Sequence, residues 1–195
     1  IEVSEVVKLA NRHRIPIVPR AGGTGLSDGA VPLRGGIMID CKLMNQIHEI
    51  DVDDRVAWVG PGVVNLDLTR ALRPLGYHFA PDPSSQQACT IGGNVATNSG
   101  GPHCLAYGVT AAHVLAVEVV LPDGEVAVLG GVDAEPQGLD LRGAFVGGMR
   151  VRMAAGIRQV LGVVALDAGL RPLGIHSGQG GRSPGPPSTD RGPGR

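Results

Sequence analysis

The sequence of 195 residues predicts an α+β fold, and three features support that prediction. Hydrophobic residues make up 43% of the chain but aromatic residues only 3%, so the core must consist of Val, Leu, Ile and Ala, a composition that favours strands packed with helices. Stretches with apolar residues at helical spacing alternate with short β-branched runs that end in turn residues. Two glycine-rich segments, each preceded by an extended stretch bounded by proline, interrupt that alternation.

Helical periodicity is clearest in two stretches. From Ser4 to about Arg14, apolar residues recur every three or four positions, and Pro16 enforces the end of the helix. From Asn65 to Leu75 the apolar residues again follow a helical period, with Asn65 as the N-cap and Gly76 just past the end. We therefore expect two helices, the second packed on a sheet.

Short apolar runs between turn signals predict the strands. The first two are a short strand and a buried one, at Ile15–Pro19 and Gly36–Asp40. The next two form a hairpin through the turn Asp53-Asp54, at Ile47–Val52 and Arg55–Gly60. The clearest hairpin has Pro122-Asp123-Gly124 as its turn, with strands at His113–Leu121 and Glu125–Leu129.

The two glycine-rich segments indicate a ligand that carries phosphate. The first runs from Pro19 to Ser27, and the second runs from Pro81 to Ser85 and continues into Thr90–Gly101. Glycines allow positive φ and let successive backbone N–H groups form an anion-binding nest. Two such loops, each with small hydroxyl or amide side chains, suit a long ligand with a diphosphate in its middle. A Rossmann site is disfavoured, because no GxGxxG opens a helix with an acidic residue about 20 positions later.

In their order and in their amino-acid sequence, these segments resemble the FAD-binding domain of the vanillyl-alcohol-oxidase type flavoproteins. Within that family the resemblance is to the glycolate oxidase subunit and D-lactate dehydrogenase branch, and it covers about Val6 to Gly147. It implies the two-subdomain FAD-binding fold of the p-cresol methylhydroxylase type. We expect that fold to be incomplete at both ends, since the family has a further strand before the first helix and a cap domain after the FAD-binding domain.

The resemblance implies three groups of FAD-binding residues. The first wraps the diphosphate through backbone N–H groups and comprises Arg20, Ala21, Gly22, Gly23, Thr24, Gly25, Leu26 and Ser27. The second runs beside the flavin and its ribityl chain and comprises Pro81, Asp82, Pro83 and Ser84. The third passes the diphosphate or the isoalloxazine edge and comprises Gly92, Gly93, Asn94, Ala96, Thr97, Asn98, Ser99, Gly100 and Gly101. Two alternatives stay open: Asp82 as an Asx-turn residue, and Asn98–Gly101 as a plain turn.

The same resemblance implies that FAD is held without a covalent bond. Some members of the fold attach flavin to a histidine where this chain has Thr24, and Cys89 is one position away from where another branch uses a cysteine. We expect His103 and His113 to be solvent-facing or structural, and Tyr107 to be a core residue more readily than a flavin contact. No catalytic residue and no metal site is predicted, because Cys41, Cys89 and Cys104 form no metal-binding pattern and no Ser/His/Asp set emerges.

The activity implied is oxidation of a 2-hydroxy acid such as glycolate or D-lactate, with electrons passed to an acceptor that the sequence does not identify. Alternatives are a non-catalytic FAD-binding subunit or inactive gene remnant, a flavoenzyme of the same fold acting on another alcohol or hydroxy acid, and a phosphate-binding module unrelated to flavin. Partner subunits and peripheral membrane association stay open, whereas nucleic acid and a membrane span are not expected. With no disulfide framework, a cytoplasmic setting is the expectation.

Composition changes abruptly near residue 148. Residues 1–148 hold 10 Lys and Arg against 16 Asp and Glu, whereas residues 149–195 hold 7 Arg, 2 Asp and neither Lys nor Glu. We therefore expect a partial FAD-binding domain at 1–148, a divergent segment at 149–176 and a disordered Gly/Pro/Arg-rich tail at 177–195. The divergent segment, in which we expect the family's closing strand to be lost, has the composition of an out-of-frame reading of a GC-rich gene. A natural divergent tail is the alternative.

Overall fold

The computed structural model describes residues 2–131, 141–147, 160–165 and 167–168. Its helices are Glu2–His13 (α1), Asn65–Leu72 (α2), Ile91–Thr97 (α3), Cys104–Tyr107 (α4) and Leu141–Phe145 (α5). Its strands are Ile17–Arg20 (β1), Ile37–Asp40 (β2), Ile47–Asp51 (β3), Val56–Val59 (β4), Tyr77–His78 (β5), Val114–Val120 (β6), Val126–Gly130 (β7), Val160–Ala165 (β8) and Asp167–Ala168 (β9). The predicted mixture of helices and strands is thus confirmed. None of the described helices is long and apolar enough to cross a membrane.

The N-terminal part consists of α1 and a two-stranded sheet in which β1 and β2 run parallel. Val3 and Val7 of α1 are buried against Val120 of the larger sheet, so the apolar face that the sequence predicted is the packed one. The prediction of a buried strand at Gly36–Asp40 is right about the strand but wrong about its burial. Only alternate residues of β2 face the protein, and Met38 is 39% exposed, because β2 has one strand neighbour among the described residues.

Five strands form the main sheet, in the order β3-β4-β8-β6-β7, with every neighbouring pair antiparallel. Both predicted hairpins are confirmed as β3–β4 and β6–β7. In the first turn, the Asp51 carboxylate accepts hydrogen bonds of 2.9 Å from the N–H groups of Asp53 and Asp54. That carboxylate, rather than Asp53 or Asp54 themselves, therefore fixes the reversal of the chain.

The divergent segment contributes the middle strand of this sheet. Strand β8 pairs with β4 on one side and with β6 on the other, and β9 pairs with β5. The expectation that the closing strand is lost is therefore wrong: the run Val160–Ala165 has the β-branched content of a buried strand although its surroundings are rich in Arg and Gly. The rest of the segment 149–176, and the predicted disordered tail 177–195, lie outside the described residues.

Helices α2 and α3 pack on the main sheet. The largest fully buried side chains of this core come from both helices, the sheet and the chain after β5, and are Phe79, Leu68, Leu72, Ile91, Val59, Val95, Val114, Val117 and Val119. The prediction of Asn65 as N-cap is wrong, since Val64 holds the cap position and the Asn65 amide instead donates to the Pro81 carbonyl at 2.9 Å. Pro74 ends the regular helix three residues early, in a 3₁₀ turn closed by Gly76 at φ +83°.

Candidate functional site

The first glycine loop leaves β1 with its backbone donors unused. Among the described residues, no acceptor pairs with the N–H groups of Gly22 through Ser27. Gly23 adopts φ +66°, the left-handed conformation that disfavours any side chain with a Cβ. A run of free N–H groups around a left-handed residue is the geometry of an anion-binding nest.

The glycines of this loop are subject to different structural constraints. A Cβ on Gly22 would overlap the Ala88 carbonyl oxygen, so Gly22 lets the loop lie directly against the segment before α3. Gly25 has an ordinary φ and no protein atom within 4 Å of the place where its Cβ would be. Protein packing therefore explains Gly22, backbone conformation explains Gly23, and the space beside Gly25 is open for a ligand.

Arg20 supplies the positive charge of the loop. Its guanidinium Nη2 lies 3.1 Å from the place where a Cβ of Gly23 would be, so the side chain folds over its own loop. Arg20 is half-buried and forms no ion pair within the described part of the chain. A guanidinium beside free N–H groups matches the needs of a phosphate group.

A cavity of about 410 Å³ opens where the first glycine loop meets the turn before α2 and the segment before α3. Its volume falls within the range of small-molecule sites. It is lined by Gly22, Lys42, Asn45, Ile47, Gly62, Val63, Val64, Asp67, Ala88 and Thr90. Gly22 and Thr90 belong to the two glycine-rich segments that the sequence predicted as ligand-binding. Lys42, Asn45 and Asp67 were not predicted, because these polar residues stand outside any glycine-rich motif.

The Pro81–Ser84 segment is held by contacts of its first two residues and is exposed only at Ser84. The Pro81 carbonyl accepts from Asn65, and the Asp82 carboxylate oxygen Oδ2 lies 2.5 Å from Nδ1 of His103. Among the described residues, the Ser84 N–H does not donate to the Asp82 carboxylate, so the hydrogen bond that defines an Asx turn is missing there. Ser84 is exposed, so its hydroxyl is available to a ligand.

The third predicted group lies mostly in helix α3 rather than in a loop. The N–H of Gly92 donates to the Pro61 carbonyl at 2.9 Å, and that of Gly93 to the Thr90 hydroxyl at 3.3 Å. Neither glycine is left-handed, and a Cβ on Gly92 would lie 2.6 Å from that of Pro61. The expectation that Gly92 and Gly93 provide free N–H groups and a positive φ is therefore wrong. Gly92 serves close packing, while contact of either residue with FAD stays a prediction.

The polar side chains at the end of α3 divide into two sets. Thr97 donates its hydroxyl to the Gly93 carbonyl at 3.0 Å, and Asn98, left-handed at φ +49°, accepts from the Ala111 N–H at 2.8 Å. By contrast, Asn94 Nδ2 and Ser99 Oγ are buried without a hydrogen-bond partner among the described residues, and the Asn94 side chain lies beside the Cys89 thiol. Because buried polar atoms nearly always have a partner, these two atoms fit a polar ligand group. The Asn98–Gly101 stretch is thus a helix C-cap as well as a candidate contact.

Cys89 is poorly suited to covalent chemistry. Burial raises the pKa of its thiol, and the neighbouring Ser85 and Asn94 side chains offset part of that effect. The reactive thiolate is therefore disfavoured. His113 donates through Nε2 to the Tyr107 carbonyl at 2.8 Å, a contact consistent with a structural role, and Tyr107 is half-buried. Within the described ranges, no group of three His, Cys, Asp or Glu side chains is placed to hold a metal ion.

Comparison with known proteins agrees with this geometry. The family model described as "FAD binding domain" matches residues 1–130. The glycolate oxidase subunit GlcD of Bacillus subtilis is 46% identical over 147 residues, which are 75% of this chain and 31% of that protein. The D-lactate dehydrogenase of Archaeoglobus fulgidus is 45% identical over 130 residues, 67% of this chain and 29% of that protein. An alkyldihydroxyacetonephosphate synthase structure superposes with a TM-score of 0.71 at 23% identity, covering 86% of this chain and 32% of that one.

Proposed function

The chain belongs to the FAD binding domain family, and from that premise we propose that it forms the cofactor-binding part of an oxidoreductase that oxidises a 2-hydroxy acid. FAD is the cofactor of this family. The observation that carries the proposal is the run of N–H groups from Gly22 to Ser27 beside Arg20, which have no acceptor within the described part of the chain. A diphosphate supplies the acceptors and the negative charge that this loop lacks.

We assign the parts of the cofactor to named residues. The N–H groups of Gly22 through Ser27 and the Arg20 guanidinium bind the diphosphate, and Thr24 and Ser27 add hydroxyl donors. The Pro81–Ser84 segment lies beside the flavin and its ribityl chain. Asn94 and Ser99 form hydrogen bonds to polar atoms of the cofactor through the two buried atoms that have no described partner. When bound, FAD supplies the two-electron acceptor that oxidation of an alcohol requires, and the protein supplies orientation and electrostatics.

The fold of the whole domain follows the p-cresol methylhydroxylase type in this proposal. Its two subdomains correspond to the parallel β1–β2 sheet with α1 and to the five-stranded antiparallel sheet with α2 and α3. The buried cluster formed by α2, α3 and the five-stranded sheet supports the second of these units. In the first, Val3 and Val7 of α1 pack with Ile17 and Ile39 of the parallel sheet and also contact Val120 of the five-stranded sheet. We place the FAD-binding domain at residues 1–148 and treat 149–195 as a divergent segment followed by a tail.

Substrate and partners are inferred from the relatives. The chain spans about 30% of the length of the curated relatives it matches. We therefore propose that catalytic activity also needs groups that the matched region does not supply. The relatives are named for glycolate and D-lactate, and both of these are small 2-hydroxy acids. We propose the same class of substrate for this protein. The word subunit in the first name supports partner subunits for this chain too.

A matched pair of glycine variants tests the diphosphate assignment. Gly25 and Gly29 both have an ordinary φ and open space at the Cβ position, so a valine at either site leaves the protein fold intact. Only Gly25 belongs to the proposed nest. We expect Gly25→Val to weaken FAD binding about tenfold in a fluorescence titration, a loss of about 1.4 kcal/mol, and Gly29→Val to leave it unchanged. Equal affinities for the two variants would show that the loop is not the diphosphate site.

The absence of a covalent bond is tested separately. Thr24 stands where a histidine link would form, and the pKa of the buried Cys89 thiol is raised. Acid precipitation of the FAD complex should release all flavin into the supernatant. Yellow colour retained in the washed pellet would contradict this assignment without affecting the diphosphate assignment.

A further inference from the structure

Asn65, the first residue of α2, buries its side-chain amide against the Pro81–Ser84 segment. The residue is 1% exposed, and its Nδ2 donates a hydrogen bond of 2.9 Å to the Pro81 carbonyl. The amide oxygen Oδ1 is buried too, but it has no hydrogen-bond partner among the described residues. One side of this buried amide is therefore satisfied and the other is not.

Such a half-satisfied amide contributes little to the stability of the fold. The bond to Pro81 stabilises the folded protein, whereas an acceptor that has left water without gaining a donor costs free energy. A leucine at position 65, which has a similar branched shape, would lose the bond to Pro81 but would also remove the unpaired Oδ1. Because these contributions oppose each other, stability gives no strong reason for an asparagine at this position.

The other end of the 81–89 stretch is held to α2 without this side chain. The backbone N–H of Asn65 donates to the Cys89 carbonyl, and that of Leu66 donates to the Gln86 carbonyl, both at 3.0 Å. These bonds use N–H groups of the first helical turn, which have no acceptor within the helix itself. They do not depend on the side chain at position 65, so a substitution there affects the Pro81 end of the stretch and spares the other end.

The Pro81 carbonyl determines the path of the whole segment. Proline rings fix φ of Pro81 and Pro83, so few backbone torsions are left to vary. The next residue, Asp82, lies so close to Gly101 that a Cβ on that glycine would overlap the Asp82 carbonyl oxygen. Fixing the Pro81 carbonyl therefore places the segment and, through Asp82, its contact with the third predicted group of FAD-binding residues.

We propose that Asn65 is a positioning residue for the cofactor: its amide holds Pro81–Ser84 in the conformation that lies beside the flavin. The inference rests on the proposed function, which places that segment beside the flavin and its ribityl chain. Without the bond from Asn65, the segment becomes ordered only when FAD binds, and the conformational entropy lost at that moment weakens binding. Asn65 thus contributes to the affinity for FAD more than to the stability of the fold.

The test compares FAD binding and stability of the full chain in three variants. In Asn65→Leu, and in Asn65→Ser, whose side chain is one bond shorter than the amide, we expect FAD to bind about tenfold more weakly in a fluorescence titration. The urea midpoint of the FAD-free protein should stay at the wild-type value. Thr69→Val is the matched control. The Thr69 hydroxyl, one turn later on α2, accepts a hydrogen bond of 3.4 Å from the Phe79 N–H, ahead of the segment, so this variant should bind FAD as the wild type does.

The spectrum of the bound flavin distinguishes positioning from a general loss of structure. At saturating FAD, the visible absorption band should be less well resolved in Asn65→Leu than in the wild type or Thr69→Val, because a loosely held segment leaves the flavin in a more varied environment. Folded Asn65 variants with wild-type affinity and spectrum overturn the proposal. A large loss of stability in both Asn65 variants, or an equal loss of affinity in Thr69→Val, overturns it as well.

A measurement without FAD separates this inference from the proposed function. A nitroxide spin label is attached at Ser84→Cys in a Cys104→Ser background, in which the remaining native thiols are buried. Ser84 is exposed, and the label should become more mobile when Asn65→Leu is added. Unchanged mobility overturns the positioning role. Increased mobility in a protein that binds no FAD supports the role of Asn65 in ordering the segment and overturns the proposed function.

Discussion

At the scale of single residues, the adjacent glycines Gly22 and Gly23 show that the same residue type in one motif can have two different physical roles. Gly22 is required by contact with Ala88, and Gly23 by its left-handed backbone. The sequence predicted the nest as a unit because glycine is common to both requirements. It could not separate them, since the contact of Gly22 depends on a segment more than 60 residues later.

Gly23→Val should weaken FAD binding more than Asp82→Ala. A valine at φ +66° strains the backbone by on the order of 1–3 kcal/mol and its branches take up space in the proposed nest. Asp82→Ala removes the contact with His103 and leaves the nest intact. Isothermal titration with FAD compares the two variants, and thermal melts identify any loss of fold. Equal losses of affinity in folded variants would argue against the nest.

The buried thiols should make stability depend on pH in the alkaline range. Burial raises the pKa of Cys41, and the Asp40 carboxylate raises it further; burial also raises that of Cys89. Unfolded thiols ionise near pH 8.5, whereas these thiols keep their protons in the folded protein, so the unfolded state loses protons first. The free energy of unfolding therefore falls as pH rises above about 8.5, by up to about 1.4 kcal/mol per pH unit for each thiol.

Urea denaturation at several pH values checks this prediction. The double variant Cys41→Ala, Cys89→Ala should show a smaller loss of stability between neutral and alkaline pH than the wild type. Cys104→Ala is the matched control, because Cys104 is exposed and should leave the pH dependence unchanged. The prediction is wrong if the double variant and the control respond to pH alike.

At the scale of elements, local patterns predicted the hairpins well and the packing between distant elements poorly. The residues Asp53-Asp54 and Pro122-Asp123-Gly124 favour a turn by their local sequence alone, so both hairpins could be predicted. Helix α3 did not, because a glycine-rich helix start looks like a loop until Pro61 and Val63 are seen to accept its N–H groups. The Asp82–His103 contact had no sequence signal, since neither residue belongs to a periodic pattern.

Strand β8 was not predicted, although the sequence contains a signal for it. Val160, Val163 and Val164 are β-branched residues in a short apolar run, but they lie beyond Gly147, where the family resemblance ends. Without β8, the two hairpins would have no shared neighbour, because β4 and β6 both pair with it. The sheet therefore depends on the part of the chain that differs most in composition.

Val163→Pro should strongly destabilise the protein. Val163 is paired with Trp58 on β4 and with Ala116 on β6, and proline cannot donate a ladder hydrogen bond in a central strand. We expect a loss of about 3 kcal/mol or more in the free energy of unfolding, measured with urea. Val163→Thr keeps the backbone N–H and the β branch, and serves as control. A proline variant as stable as the threonine variant would show that β8 does not hold the sheet together.

At the scale of the whole molecule, binding of the cofactor and turnover of a substrate are separable. The described residues supply a nest, an arginine and two buried polar atoms, all suited to holding a ligand. Substrate positioning needs further groups: a carboxylate clamp and a base close to the reacting carbon. We assign these to a cap domain, as the resemblance implies.

A polypeptide of these 195 residues loaded with FAD should therefore not oxidise glycolate or D-lactate. Holding a substrate at near-attack distance supplies roughly 7–11 kcal/mol of barrier reduction, and without that contribution reduction of the flavin is too slow to observe in minutes. Anaerobic mixing with excess substrate should leave the absorbance of oxidised flavin unchanged, while dithionite added afterwards should bleach it and so show that the flavin is competent. Bleaching by either hydroxy acid that is absent from a sample of free FAD without the protein would place the substrate-binding groups within these residues.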